Sequence, residues 1–320
     1  MPYRYKAYGL PILSDVTLPG LAVDTDDQAD TTPVRITFGP VLGRLHLPPL
    51  AAGDDYGINE RELWHVIPGI MRYYVANGTE IVVEALTENR AELLVYLYAN
   101  SLAAVLFQRN LIPLHVSGVW VDARRVLLFA APSQTGKSTL VVKLQERGYP
   151  IFTDDTALLT VDRGRCFAQA SYPMVRLWQD SIGQQAVYAD QEKQRIFGEV
   201  EKYGFSFHEQ FCTKRVAVAG LVFLDKTGTE PTLTPLSPVA ALTNLSHNVY
   251  RAPWLRAMKK QRLQFEHLSA VAATVPAWRA TRPETVATFA QFPDFIVRSL
   301  LESRLPAPEA PTKTNFSRFT

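Results

Sequence analysis

Val126-Leu127-Leu128-Phe129-Ala130 runs straight into Ala131-Pro132-Ser133-Gln134-Thr135-Gly136-Lys137-Ser138, and Thr139-Leu140-Val141-Val142-Lys143-Leu144 follows. An unbroken apolar run reads as a buried strand, and the last stretch reads as an amphipathic helix from about Lys137 to Arg147, stopped by Gly148. The segment between them fits the phosphate-loop pattern with Ala131 in place of its first glycine, which is tolerable if the φ of Ala131 is negative. The spacing has a chemical reason. Successive backbone N–H groups at a helix N-terminus, with the positive end of the helix dipole, suit a polyphosphate. Gly136 lets the backbone come close, Lys137 brings a point charge to the β and γ phosphates, and the Ser138 hydroxyl can reach a bridging Mg²⁺. Ser133, Gln134, Thr135, Gly136, Lys137, Ser138 and Thr139 are therefore the candidate nucleotide contacts.

Downstream, Ile151 to Thr153 reads as the next strand and ends in Asp154-Asp155. Adjacent residues on an extended strand point to opposite sides, which predicts two jobs for the two carboxylates. One would hold the metal with Ser138, and the other would take a proton from an acceptor hydroxyl. Away from the phosphate loop, the pair would read only as a strand end and turn cap.

Upstream, His115 to Val121 is β-prone and separated from Val126 to Ala130 by Asp122-Ala123-Arg124-Arg125, which predicts two paired strands. His115 alone would read as a satisfied core histidine, but its place just before the phosphate-loop strand favours a role at the site. Tyr3 to Tyr8 and Val34 to Phe38 alternate as half-buried strands do. Ile70 to Val75 and Glu80 to Ala85 flank Asn77-Gly78, the signature of a tight hairpin, and Leu47 to Asp55 reads as a loop. A helix from Ala91 to Gln108, closed by Pro113, links this β-rich part to the rest. Val216 to Leu224 predicts a buried strand, and Ser237-Pro238 caps a helix over Val239 to Val249. A further helix is expected from Trp254 to about Val271. The Pro-rich residues 306–320 read as a frayed tail. The resulting division is a β-rich domain over 1–90, a catalytic domain over 91–305 and the tail.

Of the 320 residues, 47% are hydrophobic and 20% charged, which excludes disorder as the main state. Lys and Arg number 33 against 31 Asp and Glu, with no basic cluster, so no nucleic-acid partner is expected. Cys166 and Cys212 lack zinc-ligand spacing and read as two buried thiols in a reducing cytoplasm. The first twenty residues lack a secretory apolar core, and Leu93 to Phe107 is too short to span a bilayer, so neither export nor a membrane is expected.

Pro113-Leu114-His115-Val116-Ser117-Gly118-Val119, the phosphate loop, Arg147-Gly148-Tyr149-Pro150 and Thr153-Asp154-Asp155 resemble the catalytic domain of HPr kinase/phosphorylase and its relatives. Weaker similarity extends to Tyr172-Pro173 and Arg176-Leu177-Trp178. The resemblance implies the fold shared with phosphoenolpyruvate carboxykinase. It assigns Lys137 and Ser138 to phosphates and Mg²⁺, Asp154 and Asp155 to metal and acid–base work, and His115 to the neighbourhood of the γ phosphate. The longer signature of the bifunctional enzymes is not found after the Asp pair, so the resemblance does not extend to the phosphorylase reaction or to HPr as acceptor. The layout is most similar to HPr-kinase-like proteins that accompany ribosomally made peptides, some of which phosphorylate a Ser of a lasso-peptide precursor. Arg176 is the preferred basic residue for a phosphate or acceptor contact, ahead of Lys214 and Arg215.

The expected fold class is thus α/β in its mixed α+β form, a P-loop kinase core beside a small β-rich N-terminal domain. The expected function is an ATP- and Mg²⁺-dependent kinase acting on a Ser hydroxyl of a peptide or small protein, with homo-oligomerisation left open. Its rivals are a nucleotide-sensing binding protein without transfer activity, an HPr-type protein kinase and, last, a small-molecule kinase or carboxykinase.

Overall fold

The computed structural model describes residues 2–25, 31–132, 135–178, 194–196, 202–207, 211–283, 288 and 291–303. Among them, the first part of the chain forms a sheet of nine strands: β1 (Tyr3–Ala7), β2 (Leu10–Ser14), β3 (Ala22–Val23), β4 (Val34–Phe38), β5 (Ala51–Ala52), β6 (Tyr56–Ile58), β7 (Glu62–Ile67), β8 (Met71–Ala76) and β9 (Glu80–Ala85). Their order is β3-β1-β2-β4-β9-β8-β7-β6-β5. The β8–β9 hairpin turns on Asn77 and Gly78 with φ of 53° and 66°, as its dipeptide predicts. The stretch 47–55 is not wholly a loop, because Ala51 and Ala52 pair with β6 as an edge strand.

Asn89 then caps a helix by accepting from the Glu92 N–H. This helix comprises α1 (Arg90–Tyr96), a π turn (Leu97–Ser101) and α2 (Leu102–Gln108). Among the described residues it alone has the length and mean hydropathy of a membrane span, and 72% of its apolar window is buried inside the protein. Asn110, with φ of 60°, ends the run before Pro113 can.

The second sheet contains β10 (Pro113–Leu114), β11 (Val116–Trp120), β12 (Arg125–Ala130), β13 (Ile151–Thr153), β14 (Ala157–Asp162), β15 (Arg165–Ala170), β19 (Val216–Lys226), β20 (Thr232–Pro235) and β21 (Ala277–Arg282). A small third sheet joins β16 (Met174–Trp178), β17 (Gln194–Ile196) and β18 (Lys202–Ser206). The phosphate-loop strand β12 runs parallel to β19, and β19 runs parallel to β21, so all three deliver their C-terminal ends to one edge. β11 lies antiparallel between β12 and β13, which brings the end of β13 back to that same edge.

The apolar run of β12 is explained by two-sided burial. Leu128 joins a hydrophobic cluster with Phe107, Leu114 and Leu221 that also holds Ile12, Ile36 and Tyr73 of the first sheet. Leu127 and Phe129 point the other way, into a second cluster with Val141, Leu144 and Trp278. The helix α3 (Lys137–Gln145) is correspondingly buried nearly all round rather than amphipathic. Ser237 caps α4 (Pro238–His247) as its sequence predicts. The single helix expected over 254–271 is instead two, α5 (Ala252–Ala257) and α6 (Gln261–Thr274), because Lys259 at φ 57° breaks the run. Beyond β21, α7 (Gln291–Ile296) packs near α3, where Arg147 donates to the Asp294 carboxylate. The expected tail, 306–320, lies outside the described residues.

Candidate active site

At the end of β12 the chain enters the loop, and Gly136 starts α3 from a left-handed φ of 97°. A Cβ there would be strained by that φ and would crowd the Arg282 guanidinium at 3.3 Å, so the backbone conformation favours glycine. Ala131 is not among the residues with positive φ, which removes the objection to its place in the motif. Lys137 is the first residue of α3 and is 7% exposed. Its Nζ donates to the Ala131 carbonyl at 2.9 Å and lies 3.3 Å from His115 Nε2. The ammonium is thus folded back across the loop. Thr135, Gly136, Ser138 and Thr139 line the same loop and first turn, whereas Ser133 and Gln134 lie outside the described residues.

The two aspartates do diverge, but not by strand alternation. β13 stops at Thr153, and Asp155 adopts a left-handed φ of 73°. Asp154 is fully buried, and its Oδ1 accepts hydrogen bonds from Ser138 at 2.9 Å and from Ser117 at 2.5 Å. Asp155 turns to the other side, where Oδ1 lies 3.9 Å from His115 Nε2 and Oδ2 lies 3.4 Å from the Tyr172 hydroxyl. A hydroxyl and a carboxylate are hard oxygen donors, and Mg²⁺ commonly takes one or two protein oxygens and fills the rest with phosphates and water. Ser138 and Asp154 fit that requirement.

His115 sits between β10 and β11. Its backbone N–H donates to the Asn248 carbonyl at 2.7 Å, and its ring meets the Tyr250 ring edge at 6.2 Å. One imidazole nitrogen therefore faces both an ammonium and a carboxylate.

Two contributors escape sequence reading. Arg282, at the end of β21, donates Nη2–H to the Thr135 carbonyl at 3.0 Å, and burial lowers its pKa from the usual value. It borders a small cleft lined by Thr135, Gly136, Thr139, Lys143, Thr288 and Phe292. Only the parallel stacking of β12, β19 and β21 brings it to the loop. The other is Tyr8, at the turn between β1 and β2, whose hydroxyl bonds Thr156 at 2.6 Å. Conversely, Arg215 precedes β19 at the opposite end of the sheet and pairs with Asp162 at 3.0 Å, which removes it and its neighbour Lys214 from the site. Arg176 lies on β16 opposite Gly204, and its side chain lies outside the described residues. Cys166 and Cys212 are both buried and free.

No family model and no curated protein matches this chain. Among solved structures, the HPr(Ser) kinase/phosphatase from Coxiella burnetii is similar at 12% identity over 58% of this chain and 93% of that one, with a TM-score of 0.30. A likeness at that level transfers neither fold nor activity.

Proposed function

We propose that the chain is an ATP- and Mg²⁺-dependent kinase that transfers the γ-phosphoryl group to a Ser hydroxyl of a peptide or small protein, such as a lasso-peptide precursor. One observation carries the reading. Lys137 reaches His115 at 3.3 Å, and Asp155 lies 3.9 Å from the same nitrogen, so a phosphate-directed cation and a half-buried carboxylate converge on one point.

In this reading the loop amides and Lys137 hold the polyphosphate, with Arg282 at the nucleoside side. Asp155 accepts the proton of the acceptor hydroxyl as the oxygen bonds to the γ phosphorus. The bond from that phosphorus to the β–γ bridging oxygen breaks, and the electron pair leaves with ADP. Lys137 and His115 offset charge on the departing and transferred oxygens. Mg²⁺, held by Ser138 and Asp154, would supply neutralisation of the phosphate charge.

Incubation with γ-labelled ATP and Ser-containing peptides is expected to transfer label. Asp155→Asn should lose transfer while still binding nucleotide, and a fully active Asp155→Asn variant would refute the base assignment. A second reading, a nucleotide-controlled binding protein without transfer, draws support from the Tyr8–Thr156 bond, which joins the first sheet to the site. A negative transfer assay together with partner affinity that responds to ATP would favour it.

A further inference from the structure

Beside His115, away from the phosphate loop, the segment after α4 builds a surface that the proposed chemistry does not use. Val249 bridges to Leu114, and the Tyr250 N–H donates to the Pro113 carbonyl at 2.9 Å, so this segment is fixed to the strand that carries His115. Arg251 follows, exposed, with a left-handed φ of 53° that few non-glycine residues adopt. What holds it is visible. Its guanidinium carbon lies 5.3 Å from the Tyr250 ring centroid and 5.6 Å from that of Trp254, and one nitrogen donates to Asn100 Oδ1. Asn100 is presented by the π turn in the central helix, a feature that often marks functional positions.

Several arginines close with carboxylates, Arg72 with Glu84, Arg125 with Asp122 and Arg215 with Asp162, while Arg90 and Arg109 donate to backbone carbonyls. Among the described residues no carboxylate pairs with Arg251. His65, whose ring lies 6.3 Å from Trp254, forms the far wall; burial lowers its pKa, the Asp55 carboxylate near it raises it and Arg251 lowers it, so Arg251 is the cation of the surface and Asp55 an anion beside His65. A guanidinium anchored at one nitrogen and braced on two rings leaves N–H groups in a planar fork that matches a carboxylate.

We propose that the Tyr250-Arg251-Trp254 surface binds a carboxylate of the acceptor peptide, placed within about four residues of the hydroxyl to be phosphorylated. The inference rests on the kinase reading above. The ring contacts set an upper bound on the reach from His115. Two ring contacts, of 6.2 Å and 5.3 Å, separate His115 from the Arg251 guanidinium, a reach of three to four extended residues at about 3.3 Å each.

The test uses nine-residue synthetic peptides with one Ser, neutral or with one Asp one to six positions away, each with a free or an amidated C-terminus. For the wild-type chain, KM is expected to fall about tenfold when a carboxylate lies within four residues, the order of one charge-assisted hydrogen bond. Equal gains from Asp and from the free terminus would mean that either source serves, and a gain from one alone names the source. Arg251→Gln should abolish the preference, and Arg251→Lys should keep part of it. Thermal unfolding and nucleotide affinity check that both variants are folded. A wild-type enzyme blind to the carboxylate, or an Arg251→Gln variant that keeps the preference, would overturn the proposal while leaving the kinase reading intact. If nucleotide binds but no peptide is labelled, the kinase reading falls. Fluorescence anisotropy of the acidic peptide then decides the surface alone, with binding weakened by Arg251→Gln supporting it and unchanged binding overturning it.

Discussion

Tyr8 and Thr156 are 148 positions apart and share a buried hydrogen bond of 2.6 Å. Tyr8 has φ of 52° and is followed by Gly9 at 71°, so the β1–β2 turn projects the ring toward the second sheet, and the Tyr8 backbone N–H also donates to the Ala170 carbonyl at 3.1 Å. Thr156 is the residue after Asp155, and its backbone N–H donates to the Asp154 carbonyl at 3.0 Å. The first sheet thus ties down the turn that sends one aspartate toward Ser138 and the other toward His115.

Tyr8→Phe removes that tie while keeping the ring. The loss of one buried hydroxyl pair should cost about 1 kcal/mol in chemical unfolding. Turnover should fall several-fold with nucleotide affinity unaltered, because Asp155 is less well held. Wild-type turnover in a variant that shows the stability loss would mean that the contact is structural only.

Asp154→Asn should separate metal use from proton transfer. The Ser117 and Ser138 hydroxyls both donate to one oxygen, Oδ1, which an amide oxygen can replace, while the metal would lose its anionic partner. Titration of a fluorescent ATP analogue should show Mg²⁺-dependent tightening in the wild type and little in the variant, with metal-free affinity comparable. Equal Mg²⁺ response in both proteins would remove Asp154 from the metal site.

How far the site is legible in sequence depends on whether its geometry is local. The start of α3 at Gly136, the Asn77-Gly78 turn and the Ser237 cap are decided within a few residues, and each forms where its sequence indicates. The divergence of Asp154 and Asp155 is legible, but the reason is not, since it lies in a left-handed φ that no side chain announces. Arg282 and Tyr8 reach the site only through the order of strands in two sheets. Arg215, which looks suitable by charge, is carried to the wrong end of β19 by the same topology. The break at Lys259 likewise falls in a stretch whose apolar spacing continues across it.

The two thiols give a test of the core. Burial pushes Cys166 up to about 12 and also raises Cys212, despite the Lys214 backbone hydrogen bond and charge beside it. Because the thiolate is the reactive form, neither cysteine should react with a disulfide reagent at pH 8 in the folded protein, and both should react in denaturant. Fast labelling of one thiol under native conditions would contradict the packing around β15 or before β19.

Glu62 sets the acid limit of the first sheet. Its carboxylate is buried, which alone would raise its pKa, but hydrogen bonds from Tyr74, Asn59 and the Leu47 and His46 N–H groups outweigh burial and bring it down to about 2 from 4.5. Between those two pH values the unfolded chain binds a proton that the folded chain refuses. Stability from this group is therefore complete above about pH 4.5 and lost as pH falls toward 2. Glu62→Gln keeps the shape but not the charge, so it should cost roughly 2 kcal/mol at pH 7 through weaker bonds to the 46–47 loop. It should also flatten the acid limb of a stability-versus-pH curve measured by urea unfolding. A wild-type curve already flat across that window would show that these hydrogen bonds do not favour the ionised carboxylate in the folded protein.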